Sequence, residues 1–482
     1  MASFWLLFPF AAVVAIPAVS IPAASSTVAR HSWKFLCLVL LPVIYCGLFR
    51  EFTIGSSIVA PSLIVVGACM FLFSVFMVTQ VRRLRRFPLL IPAVCYFLAA
   101  CLSGLHSVSH LHWIRGVLEL GLAVCFLLYP YFFLNNDRQV QLVLRVLVAL
   151  AAGTVVFALL QTVLFAPLRS VVSALYRRED LWWIVGWGWR GRLAGNWVHP
   201  SYLGSVLNVA APFALLHYAR VPRRLSLVLY LVIAGGIVLT GTRTPLLAFF
   251  LGSVAFVILA RRPRAWTALA YAGVLAIALS FFHFRFAPPD VGSRGFVLQT
   301  MSLVERFELE RSNNITTLNM RRITQGEAFS LFRTSPIVGI GMRNYPDRAR
   351  GSDPVAEYSI HNSLMQNLAE LGGFGLAAFL ILIFGALRAD FRPQLSRFPA
   401  LRPLRAALFC SSAAILVESL AENSLAIWQV LCLFWLIRGI SLVIAQHPVA
   451  FLNGPSLGTE HTDQAHPGSP EHRFDALETA VG

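Results

Sequence analysis

Charge is scarce in this chain. Only 13% of its 482 residues are Asp, Glu, Lys or Arg, and lysine occurs once, at Lys34. A soluble protein carries about a quarter of its residues as charges, so a water-facing multidomain enzyme is excluded. Paired cysteines are also lacking. The eight cysteines (37, 46, 69, 95, 101, 125, 410 and 432) all fall within apolar runs with no CxxC spacing. They read as small buried hydrophobes, with no disulfide framework and no zinc site. Nor is there a P-loop, a GxGxxG following a strand, an HExxH or a GxSxG, which leaves nucleotide and soluble-cofactor chemistry without a foothold.

What fills the chain is apolar sequence of membrane-spanning length. The composition is 57% hydrophobic and the mean hydropathy +0.70, so the expected fold is all-α: a polytopic integral membrane protein of about 12 to 13 transmembrane helices. Spans are expected near 4–23, 34–50, 54–79, 87–105, 113–134, 141–166, 197–218, 225–241, 244–260, 265–283, 362–387, 404–420 and 425–446. They form one transmembrane domain, 1–446, with a long extracytoplasmic loop at 284–361. Residues 447–482, rich in Pro, Gly, His and acids, are expected to be a disordered cytoplasmic tail. The first apolar run lacks a basic segment before it, so it reads as a retained helix with its N-terminus outside.

The net charge of +17 follows from topology, not from a nucleic-acid surface. The basic residues cluster between apolar runs at 82–86, 220–224, 261–264 and 388–405, and the positive-inside rule makes these cytoplasmic loops. The alternation then puts 167–196, 241–244, 284–361 and 421–424 on the outer face. Within 284–361, ten arginines face eight acids. Its stretch 318–333 places Leu318, Ile323, Ala328 and Leu331-Phe332 roughly on one face, an amphipathic helix that Thr334-Ser335-Pro336 would stop.

Three positions carry the chemistry. Arg192 precedes the seventh span, Arg243 sits in a hairpin too short to leave the membrane surface, and His361 opens the eleventh span. Charges at membrane depth are costly and by default mark a functional site. Guanidinium forks bind phosphate oxygens bidentately, and an imidazole, ordinarily titrating near neutrality, removes a proton from a sugar hydroxyl. These three are therefore the candidate catalytic residues, for a pyrophosphate-bearing substrate. Arg190, Arg343, Asn362, Glu418 and Glu422 are candidate substrate-binding residues; the two glutamates lie four apart on one helical face, where they can pair with the arginines or assist the base. For each, a plainer role competes: Arg190 and Arg192 as interfacial anchors, His361 as an interfacial histidine, and Trp182, Trp183, Trp187 and Trp189 as an aromatic belt. Glu370, nine residues beyond His361, falls on the opposite helical face. His106, His110 and His112 have zinc-like spacing but no neighbouring carboxylate in sequence, so they read as solvated loop histidines.

The series RGRLAGNWVHPSYLGSVLNVAAPFALL, LTGTRTPLLAFFLG, IVGIGMRNYP and HNSLMQNLAELGGFGLAAF resembles, in order and wording, the O-antigen ligase and polysaccharide polymerase superfamily over roughly residues 190–390. The resemblance implies glycan transfer from undecaprenyl pyrophosphate to a glycan or lipid A-core acceptor at the periplasmic face of the bacterial inner membrane. It further implies inversion at the sugar, with membrane lipid as surroundings and neither metal, nucleotide nor other cofactor. By motif, Arg192 and Arg243 hold the pyrophosphate and His361 is the base, with Arg190 competing for the first role. Ligase and polymerase are not separated, and a protein glycosyltransferase remains a third form. From another class, a transporter or flippase of a lipid-linked or anionic substrate is the alternative; it would set its essential charges near the bilayer midplane.

Overall fold

The computed structural model describes residues 36–45, 52–54, 57–59, 80–163, 192–197, 199–281, 284–287, 297–300, 321–349 and 360–452, with single positions at 34, 67, 68, 71, 73 and 319. The protein is a bundle of long apolar helices: α1 Leu90–Leu102, α2 His110–Phe133, α3 Asp137–Val163, α4 Pro200–Arg220, α5 Arg224–Leu239, α6 Arg243–Ala260, α7 Pro263–Phe281, α8 Ser363–Arg388, α9 Arg402–Ser419 and α10 Trp428–Gln446. Among the described residues, six of these (α2, α3, α6, α8, α9 and α10) are long and apolar enough to cross a membrane, and α1, α5 and α7 are shorter apolar helices. Each matches an expected span to within a few residues.

Two expectations change. The segment expected to open a span at 54 instead begins with an antiparallel hairpin, Phe52–Ile54 paired with Ser57–Val59. Thr53, Ile54, Ile58 and Val59 are β-branched residues, which favour extended backbone. A second hairpin pairs Phe284–Ala287 with Val297–Thr300 in the long loop. At the other end of the chain, Pro448–Phe451 forms a 3-10 turn with Phe451 buried, so order continues past Gln446; 453–482 lies outside the described residues, as does the span expected at 4–23.

α4 and α10 are buried almost all round, the mark of helices at the centre of a bundle. α2 and α9 pack against them, and α6 against α9. The basic segments meet at one end: Arg83 donates to the Tyr131 carbonyl near the end of α2 at 2.7 Å, and Arg402 to the Leu259 carbonyl near the end of α6 at 2.7 Å. The turns 103–109, 241–242 and 420–427 and the segment 335–349 lie at the other end, where His106 bonds Ser335 and Arg192 bonds Gly241.

The stretch from Ile337 to Gly375 folds back on itself. α8 is broken at Gly372 (φ 66°, ψ −171°), and the freed backbone pairs with the preceding loop: Ile340 and Gly341 donate to the carbonyls of Ala369 and Glu370, and Gly373 and Phe374 to those of Pro336 and Ile337. A Cβ at Gly339 would lie 2.3 Å from the Glu370 carbonyl, and one at Gly372 would lie 2.3 Å from the Ile337 oxygen. Only glycine permits that approach, and both also hold positive φ. The unwound turn is thereby satisfied inside protein, as membrane-depth backbone must be.

Residues 321–334 form the loop helix, ending where Thr334-Ser335-Pro336 was expected to stop it. Its buried positions are Thr324 and Ala328, while Ile323 is 40% and Phe329 42% exposed. The inward face is thus rotated from the one read in the sequence. The buried Tyr345 sets it, donating its hydroxyl to the Thr324 carbonyl at 3.2 Å.

Candidate functional site

The centre of the site is Glu422, in the turn between α9 and α10. Its Oε2 lies 3.2 Å from His361 Nδ1 and its Oε1 2.5 Å from an Arg321 amine. Three consecutive residues stitch this turn to the start of α8: His361 to Glu422, Asn362 Nδ2 to the Leu420 carbonyl at 2.9 Å, and Ser363 Oγ to Asn423 Oδ1 at 3.4 Å. Asn362 also caps α8, accepting from the N–H groups of Leu364 and Met365. Its side chain is thus committed at both ends.

His361 adopts φ 52°. A non-glycine residue in this left-handed region costs roughly 1–2 kcal/mol, and such strain persists where the surroundings over-determine it, often at functional sites. Here the Asn362 cap on one side and buried Ile360 on the other hold it. Burial alone would raise the Glu422 carboxyl, but the hydrogen bond and charge of His361, with Arg321 and His199, outweigh it and bring the group below its ordinary value.

Arg192 is half-buried and donates to the Gly241 carbonyl at 2.6 Å, while Leu193 N–H bonds the Leu239 carbonyl at 2.8 Å. This fastens the 192–197 segment to the α5–α6 hairpin; Gly241, the partner of Arg192, lies two residues before Arg243, the exposed first residue of α6. His199, the N-cap of α4, is within electrostatic range of Arg192, His361 and Glu422. The structure thus brings both arginine elements and the histidine to one end of the bundle. α4 and α8 have side-chain N-caps, whereas Thr242, the N-cap of α6, makes no side-chain cap bond.

Other sequence-read residues fall elsewhere. Glu418 does not join the arginines: it is buried under the site, taking Ser205 Oγ at 2.5 Å, Asn208 Nδ2 and Ser424 Oγ at 3.3 Å. α9 ends at Ser419, so the four-residue spacing no longer aligns the two carboxylates on one helical face. Arg343 turns inward, 2.5 Å from Glu119, which also takes Arg115 Nε at 3.0 Å. Glu370 sits apart from His361, as expected, receiving the Tyr345 N–H at 3.4 Å. The loop histidines are not merely solvated: His106 Nδ1 is 2.7 Å from Ser335 Oγ, and His112 Nδ1 is 2.6 Å from Asp347, a carboxylate brought in from the distant loop. Arg190 and Trp182, Trp183, Trp187 and Trp189 lie outside the described residues.

Four residues of this end went unread in the sequence. Glu119, an acid within an apolar run, carried the signal of an intramembrane charge. His199 stood beside Pro200 at a helix start, an N-cap position. Arg321 and Gln429 carried no local signal.

Fold and site together define a polytopic α-helical membrane protein with a charged site at one end of its bundle. The model of the O-antigen ligase family matches residues 226–380. The match supports an O-antigen ligase-type membrane glycan transferase. It contains Arg243, Arg321, Arg343 and His361, while Arg192 and Glu422 come from outside it. No curated protein matches the chain.

Proposed function

We propose that the protein moves a glycan from undecaprenyl pyrophosphate to an acceptor hydroxyl at the periplasmic face of the bacterial inner membrane. The observation that carries this is the His361–Glu422 pair, set at the same end as Arg192 and the uncapped start of α6. With Nδ1–H donated to Glu422, the neutral imidazole keeps its lone pair on Nε2, the nitrogen that serves as base. The acceptor oxygen attacks the anomeric carbon, its proton passes to Nε2, and the bond from that carbon to the pyrophosphate oxygen breaks. Undecaprenyl pyrophosphate leaves with both electrons of that bond. Arg192, Arg243 and the α6 N-terminus meet the charge that builds on the leaving group, so the reaction as proposed calls on no metal or nucleotide. A single displacement inverts the anomeric centre.

A transporter would need its charges along a path through the midplane, whereas these gather at one boundary under the 335–349 segment. The test is purified protein incubated with lipid-linked glycan and candidate acceptors in the presence of a chelator. Formation of an inverted glycoside is expected; export of intact lipid-linked glycan without any new bond would overturn the reading.

A further inference from the structure

The basic end of the bundle carries more than loop charge. Arg145 stands eight residues beyond Asp137, the start of α3, inside a stretch apolar enough to cross a membrane, and it is exposed. At 1.5 Å per residue it is about 12 Å further along the bundle than Asp137. His217 and Arg220 fill the last turn of α4, Arg223 holds the N-cap position of α5, and Arg262 lies in the turn between α6 and α7. α4 packs against both α3 and α7, and the side chains converge. Arg220 is within electrostatic range of Arg145 and Arg262, and His217 of Arg145, Arg220 and Arg223.

Nothing among the described residues balances this group. Asp137 is the acid within range of Arg220, and it already receives Gln141 Nε2 at 3.1 Å. Four arginines against one aspartate leave an excess of three positive charges. Among the described residues, none of the four guanidiniums takes a hydrogen bond or ion pair. Helix dipoles do not offset them: α4 and α6 end here while α5 and α7 begin here, so their partial charges of about half a unit cancel. A charge within a span ordinarily has a partner in the protein, and Arg145 has none among the described residues.

The surroundings select the ligand. A cluster of donors without acceptors fits a phosphate, which only accepts and which guanidinium forks bind through paired oxygens. A soluble anion meets Arg223 and Arg262 from water, but not an arginine set among apolar residues of a span. A phospholipid reaches both, because its phosphate sits at the boundary to which an arginine in a span extends its head. The surplus of positive charge repels a headgroup that carries its own ammonium, which leaves an anionic lipid.

We propose that the basic ends of α3 and α4, with the α6–α7 turn, form a binding site for the phosphate of an anionic phospholipid in the cytoplasmic leaflet, with Arg145 and Arg220 as its principal contacts. The leaflet follows from the positive-inside rule, and the site is independent of what is transferred at the other end.

The experiment is native mass spectrometry of the full chain in detergent, titrated with dioleoyl phosphatidylglycerol or dioleoyl phosphatidylcholine. One phosphatidylglycerol is expected to be retained saturably, and phosphatidylcholine about tenfold more weakly. Affinity for phosphatidylglycerol is expected to fall about tenfold in Arg145→Gln and in Arg220→Gln. It should keep its wild-type value in Arg397→Gln, which removes one exposed arginine from a different basic segment. Arg145 is exposed, so its variant decides the matter if Arg220→Gln does not fold. Equal binding of the two lipids, or unchanged affinity in Arg145→Gln, would overturn the site. An equal loss in Arg397→Gln would overturn it too, by reducing it to diffuse attraction between a basic face and an anionic leaflet. Displacement by inorganic phosphate would do the same, by making the ligand a soluble anion.

Discussion

Two ion clusters in the same bundle have opposite characters. Near the basic end Arg438, wholly buried in α10, is held by Asp390 and the Leu408 carbonyl, and Asp390 also takes Ser441. At the other end Glu422 joins His361 and Arg321, and the side chains of His361 and Arg321 are 26% and 24% exposed. The first pair is enclosed by helices, and nothing from solution can reach it. The second has its carboxylate buried and its imidazole and guanidinium partners nearer the surface. A sealed pair joins helices; a half-open pair keeps a nitrogen available to substrate.

That contrast is best broken by mutation. His361→Ala and Arg243→Ala are expected to abolish glycan transfer, the first by the roughly 10²–10⁴-fold worth of a general base, with protein levels unchanged in a complementation assay; normal surface glycan from both would end the assignment. Arg438→Ala should do the reverse, destabilising the protein by about 3–5 kcal/mol by stranding Asp390, read as a lower melting temperature in detergent, with Arg438→Met combined with Asp390→Leu recovering most of it. If Arg438→Ala instead melts like wild type, the sealed pair is not a structural joint.

Smaller effects sharpen the open cluster. Arg243→Lys should still fail to transfer glycan, because a point charge cannot reproduce the guanidinium fork; full activity would make Arg243 a generic cation. Glu422→Gln is expected to reduce transfer, by up to about 10⁴-fold, because the imidazole loses the carboxylate that fixes its tautomer and orientation, measured as kcat with purified protein. The pH dependence follows in sign. Glu422 is held below its ordinary value of 4.5, so its contribution to stability is complete above that value and is lost as pH falls through the depressed folded one. Acid unfolding of wild type should therefore show a step below the ordinary carboxylate range that Glu422→Gln lacks.

Much of the helix pattern was legible because a membrane imposes a simple rule on sequence. Spans such as 225–241 and 244–260 sit within two residues of α5 and α6, since apolar length and flanking arginines are local properties. The same arithmetic failed at the start of the span expected from 54, where β-branched residues pair as a hairpin. At the site, Arg192, Arg243 and His361 were readable as costly charges at boundaries. Their partners were not: Arg321 is 101 residues from Glu422, the carboxylate that His361 meets.

By itself the sequence determined an all-α membrane bundle, its basic end and the three residues most worth testing, because hydropathy and charge act within a single span. Only the tertiary structure decided that Glu422 rather than Glu418 meets the histidine, that Asn362 is a cap, and that Arg343 turns inward to Glu119. Those choices depend on where α9 stops, on the broken turn at Gly372, and on which helix ends meet, and each is fixed by packing between segments far apart in the chain.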